Sequence, residues 1–112
     1  MIINKEKPFT KEEIKKLREL FISLSSLAMD LKRAAIGYHR NSVGLADRFY
    51  QEALKRKKEI DAKSLQPYLV SLLDDLEELT KVEDDLEKGE KALLLSTLFQ
   101  NAAVSLVNNR KY

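Results

Sequence analysis

The stretch Thr10–Tyr38, TKEEIKKLRELFISLSSLAMDLKRAAIGY, decides the fold. Thr10 and Glu13 stand at capping-box spacing, where a hydroxyl and a carboxylate each serve a backbone N–H that the first helical turn leaves unpaired. Phe9 and Ile14 occupy the N′ and N4 positions of a hydrophobic staple. Apolar residues then recur at Ile14, Leu17, Phe21, Leu24, Ala28, Leu31, Ala35 and Tyr38. The steps alternate three and four, which lays one stripe along one side of a helix. The spacing predicts a single long helix from Lys11 to about Arg40.

Working outward, the pattern breaks between Gly37 and Gly44. Continued heptads would put Ser42, Leu45, Phe49, Glu52 and Arg56 on the stripe, but the apolar residues fall at Val43, Ala46, Tyr50, Ala53 and Ile60. This one-residue phase shift beside Asn41-Ser42 predicts a turn, with a locally irregular single helix as the alternative. The second helix is expected over about Val43 to Ala62. Ser64 is a candidate N-cap, and Pro67 suits a first turn whose amides lack acceptors anyway. The third helix carries Leu65, Leu69, Leu72, Leu76, Leu79, Val82 and Leu86. Gly89 is expected as its C′ residue and Lys88 as a cation in its last turn. The fourth helix runs from about Glu90 to Val107. Glu12–Lys16, Glu52–Arg56, Glu77–Lys81 and Asp84–Lys88 have the spacing of same-face ion pairs. The expected fold is all-α, an antiparallel four-helix bundle with a long first helix, spanning residues 10–108 between a polar leader (1–9) and a frayed tail (109–112).

Composition narrows the function. The chain has 112 residues, with 20 Lys+Arg against 18 Asp+Glu, one His, three Gly, two Pro and no Cys. The absence of Cys excludes disulfides, thiolate metal sites and a cysteine nucleophile. One His excludes a site needing two imidazoles from one chain. So few Gly and Pro argue against an all-β fold. Apolar runs such as Ala92–Leu95 fall far short of the ~20 residues of a spanning helix. No apolar segment with a cleavage site opens the chain, so the cytoplasm is the expected compartment. Charge is uneven: residues 1–63 hold 15 Lys+Arg and 9 Asp+Glu, and residues 64–112 hold 5 and 9, giving +6 and −4. Two oppositely charged hairpins are implied.

The fourth helix stands out. Its apolar residues, among them Leu93, Leu94, Leu95, Leu98, Phe99, Ala102, Ala103 and Leu106, cover nearly the whole circumference. A surface helix in a small bundle should show one apolar stripe. Either this helix is central, or its second face meets a partner. The partner reading places Leu94, Leu98, Ala102 and Leu106 at an interface, most simply in a two-fold homodimer. A second surface is cationic: Lys15, Arg18, Lys32, Arg33, Arg40, Arg48, Lys55 and Arg56 could take nucleic-acid phosphates.

Catalytic signals are sparse. Arg33 and His39 stand in an R-x5-H arrangement that resembles the Arg and His pairing of the HEPN superfamily, helical bundles that include RNases. Here Ala34 follows the arginine, where that family often has a polar residue, and the pair lies on the first helix rather than late in the chain. The resemblance implies His39 as general base and Arg33 as the stabiliser of a pentavalent phosphate. Read by itself, His39 is a solvated imidazole at a helix end. Asp74, Asp75, Glu77, Glu78, Glu83, Asp84, Asp85 and Glu87 lie between seam leucines, with no Glu-x-x-His pair and no EF-hand loop, and read as a solvated acidic face. No phosphate loop or nucleophile elbow is present. The expectation is a non-enzymatic interaction or scaffold protein with no metal, no cofactor and no membrane partner.

Overall fold

The computed structural model describes residues 9–108. Its elements are α1 (Lys11–His39), α2 (Val43–Lys58), α3 (Pro67–Glu78) and α4 (Asp85–Asn108), with short 3-10 turns at Ala62–Ser64 and Leu79–Lys81. The expected leader, apart from Phe9, and the expected tail lie outside the described residues. The bundle is all-helical among the described residues and measures 58 × 22 × 21 Å.

α1 begins as its sequence dictates. The Glu13 amide donates to Thr10 Oγ1 at 3.1 Å, and the Thr10 amide donates to Glu13 Oε1 at 2.9 Å. α1 ends in a turn, not an irregularity. Asn41 adopts φ 63°, the left-handed region that asparagine tolerates better than most residues. The Ser42 amide then donates to Gly37 O at 2.7 Å and the Asn41 amide to Tyr38 O at 3.3 Å, the paired bonds of a Schellman end. The chain reverses there, and α2 runs back along α1.

The second half departs from the sequence-based boundaries. Ser64 does not cap a helix: it closes the 3-10 turn that Asp61 opens, where the Lys63 amide donates to Asp61 Oδ1 at 3.0 Å. α3 starts later, with Gln66 as N-cap and Pro67 in its first turn. It also stops earlier, at Glu78, and extended backbone at Val82 separates it from α4. α4 starts from Asp84, whose Oδ2 accepts from the Glu87 amide and whose carbonyl accepts from the Lys88 amide, both at 2.9 Å. Gly89 is therefore inside α4 and is not a C′ residue; no described glycine has positive φ. Its role is close approach. A Cβ there would lie 3.1 Å from Tyr38 Cβ and 3.4 Å from the Ala35 carbonyl of α1. Lys88, expected at a helix end, sits in a helix start. There its ammonium lies 5.5 and 5.6 Å from the Tyr38 and Tyr50 ring centres.

α1 is the axis of the molecule. α2 and α4 flank it, both antiparallel to it, as the Gly37–Ala46 and Ala35–Gly89 approaches show. α3 lies against α2 and α4 on the core side. Leu24, Leu27, Leu31 and Ala34 of α1 meet Ala46 and Ala53 of α2, Leu69 and Leu76 of α3, and Ala92, Phe99 and Ala103 of α4. Small residues on α2 and α4 at these positions let the helices approach α1 closely. The Tyr50 hydroxyl donates to the Leu76 carbonyl at 2.7 Å, which ties α2 to the last turn of α3.

The ion pairs differ from the same-face pairs expected. Glu52 bonds Lys55 at 3.4 Å, Glu77 bonds Lys57 of α2 at 3.3 Å, and Arg56 reaches Asp30 of α1 at 3.6 Å. None of the four i,i+4 pairs forms among the described residues; the one i,i+4 bridge is Glu87–Lys91, at 3.1 Å. Tertiary packing supplies the partners of Arg56 and Lys57, while Glu52 takes Lys55 one turn along its own helix.

Candidate functional site

Two surfaces stand out. The first is the open side of α4 against α3. Leu94 is 59% exposed and Leu98 36% exposed. Tyr68, Ser71, Leu72, Leu98, Asn101 and Ser105 line a groove between the two helices. The expected stripe of Leu94, Leu98, Ala102 and Leu106 does not stay on this surface. Each four-residue step turns about 40° around the helix, so the line winds from solvent into the bundle. Ala102 is 3% exposed and belongs to the core. Leu106 is half-buried and packs against that core beside Leu17 and Phe21. Of the four, Leu94 and Leu98 are the exposed ones, while Ala102 contributes to the α3–α4 groove only the little surface it keeps.

The second surface is the side of α1 turned away from the core. Lys15, Arg18, Lys32, Arg33 and Arg40 are exposed along it, and Arg48, Lys55 and Arg56 stand on neighbouring α2. Three of these eight are engaged. Arg33 and Arg56 approach Asp30 at 3.5 and 3.6 Å, and Lys55 pairs with Glu52. Arg33 also lies 5.6 Å over the Phe49 ring. Lys15, Arg18, Lys32, Arg40 and Arg48 make no ion pair among the described residues.

Asp30 is the buried charge between these helices. Burial pushes its carboxyl above the ordinary 3.8, against the pull of Arg56 and Arg33. The folded chain therefore holds this proton more tightly than the unfolded chain. Ionising Asp30 costs stability, and that cost appears as pH rises from 3.8 through the higher folded-state value. Asp30→Asn is expected to match the wild type in acid and to gain on it as pH climbs through that window. Urea titrations at a series of pH values measure the gap; a constant gap would disprove the burial cost.

Beneath the α2 start, the Tyr38 hydroxyl donates to Asp47 Oδ1. Burial pushes both phenols up, Tyr50 to about 12, so both act as hydrogen-bond donors rather than as acids. The Arg33 and His39 pair does not converge. Six residues of helix turn the second side chain about 240° from the first. Arg33 leans to α2, and His39 is exposed in the last turn of α1. Among the described residues no cluster of His, Asp and Glu is arranged to hold a metal. Glu77 and Glu78 pair with lysines, and Asp84 is a helix cap.

One feature escaped the sequence reading. Ile22, Met29 and Ile36 project from the outer side of α1, each 42–53% exposed. The signal was their seven-residue spacing within the opening stretch, hidden beside the stronger core stripe. No helix among the described residues is long and apolar enough to cross a membrane. No family model, curated protein or solved structure matches the chain.

Proposed function

We propose that this chain is a non-enzymatic helical interaction protein that pairs with a second copy through the α3–α4 face. The observation that carries this reading is the exposure of Leu94 and Leu98 on α4, with Leu98 lining a groove shared with Tyr68 of α3. Large aliphatic side chains held in water at a helix surface favour association, because each contributes about 25 cal/mol per Å² once covered. A two-fold axis sets the same face of each copy against the other, so one pairing would cover both leucines of both copies.

Sedimentation equilibrium tests it. The wild type is expected at twice the monomer mass, and Leu94→Glu with Leu98→Glu at the monomer mass with its helical signal intact. Both side chains are exposed, so the double variant should fold. A monomeric wild type, or a folded double variant that stays dimeric, sinks the reading.

A further inference from the structure

We propose that the outer face of α1 docks on an anionic lipid surface; this goes beyond the pairing through α3–α4 and uses a different face, centred on α1. Ile22, Met29 and Ile36 repeat every seven residues, so they form one nearly straight apolar ridge about 21 Å long. Lys15 and Arg18 precede the ridge, and Lys32 and Arg40 stand beside its far half, all four exposed and without an ion pair among the described residues. The carboxylates of α1 lie off the ridge itself: Glu13 is held in the capping box, Asp30 is buried against α2, and Glu12 and Glu19 stand about 80° and 60° around the helix from Ile22, on the side of Asp30 and opposite Lys32. Leu93 of α4 extends the apolar strip, since it lines one groove with Met29 and Lys32.

The occupant must take both chemistries. A second copy would set like charges against each other across a two-fold axis. A nucleic-acid backbone would take the cations and leave the three aliphatic side chains in water. A bilayer interface with anionic headgroups takes the ammonium and guanidinium groups at the phosphate level and the aliphatic tips just below it. No spanning segment is needed, because the ridge lies along the membrane plane.

The test is co-sedimentation of the full chain with phosphatidylcholine vesicles and with phosphatidylcholine–phosphatidylserine vesicles. Binding is expected only with phosphatidylserine present, and is expected to be released by high salt. Arg18→Glu with Lys32→Glu should weaken it about tenfold or more. Ile22→Ser with Met29→Ser and Ile36→Ser should weaken it to a similar degree while leaving the melting curve in place. Failure to bind either vesicle overturns the proposal. So does a serine variant that binds like the wild type, or single-stranded RNA binding tighter than the vesicles at the same salt. Leu94→Glu with Leu98→Glu should still bind, so loss of pairing and loss of lipid docking are separable.

Discussion

Phe99→Ala is expected to destabilise the bundle by about 3–5 kcal/mol, the largest loss available from one side chain here. Phe99 is fully buried on α4, in the cluster where α1, α2, α3 and α4 meet. Removing the ring forfeits its transfer free energy and leaves a cavity whose walls come from four separate helices. Such walls collapse poorly, because moving one helix breaks its packing elsewhere. Small domains are stable by only about 5–15 kcal/mol, so the variant should sit close to its unfolding limit. Urea titration should show a lower midpoint with an unchanged slope. Leu86→Ala, on the same helix and exposed outside the proposed pairing face, serves as the control, with a change within about 1 kcal/mol. Equal losses at the two positions would mean that the burial pattern of α4 is wrong.

Gly37→Ala should destabilise by about 1–3 kcal/mol, against the ordinary trend. Glycine inside a helix usually costs roughly 1 kcal/mol relative to alanine, so alanine there is normally a gain. At Gly37 a Cβ would lie 2.8 Å from Ala46 Cβ, 3.1 Å from its Cα and 3.2 Å from its nitrogen. Two of those atoms are backbone of α2, which cannot rotate away, so α2 must shift off α1. Gly44 provides the opposite case. Nothing lies within 4 Å of its built Cβ, and Gly44→Ala is expected to gain a few tenths to about 1 kcal/mol. Thermal melts of the two variants should move in opposite directions. A stabilised Gly37→Ala would place α2 farther from α1 than the structure has it.

The architecture was legible wherever local rules act alone. The capping box at Thr10 and Glu13, the heptad stripe of α1 and the phase shift at Asn41 depend on neighbours within one or two turns, and the structure has all three. The helix boundaries after Ser64 were not legible in the same way. Glycine at Gly89 has the look of a helix end, but Tyr38 on a distant part of the chain needs that space. The start of α4 was in fact written locally, as Asp84 three residues before Glu87, and was masked by leucine periodicity that continues through Val82 and Leu86.

The surfaces divide along the same line. The eight cations named from sequence fall on neighbouring sides of α1 and α2, yet Asp30 and Glu52 pair with three of them. Arg33–Asp30 and Lys55–Glu52 have i,i+3 spacing legible in sequence, while Arg56–Asp30 joins two helices and follows from no spacing rule. Likewise Leu94 and Ala102 share a row on paper, while winding and packing leave one in water and bury the other. The sequence by itself determined α1, the turn after it, the start of α2 and the side of α1 that seeks a core, because capping, the asparagine conformation and apolar periodicity are properties of a few adjacent residues. α2 ends at Lys58, short of the expected Ala62. Only the tertiary structure decided which apolar face of α4 stays open, why Gly89 lies inside α4, and that Arg56 reaches Asp30 across α1 and α2, because those outcomes depend on volume and charge supplied by residues far away in the chain.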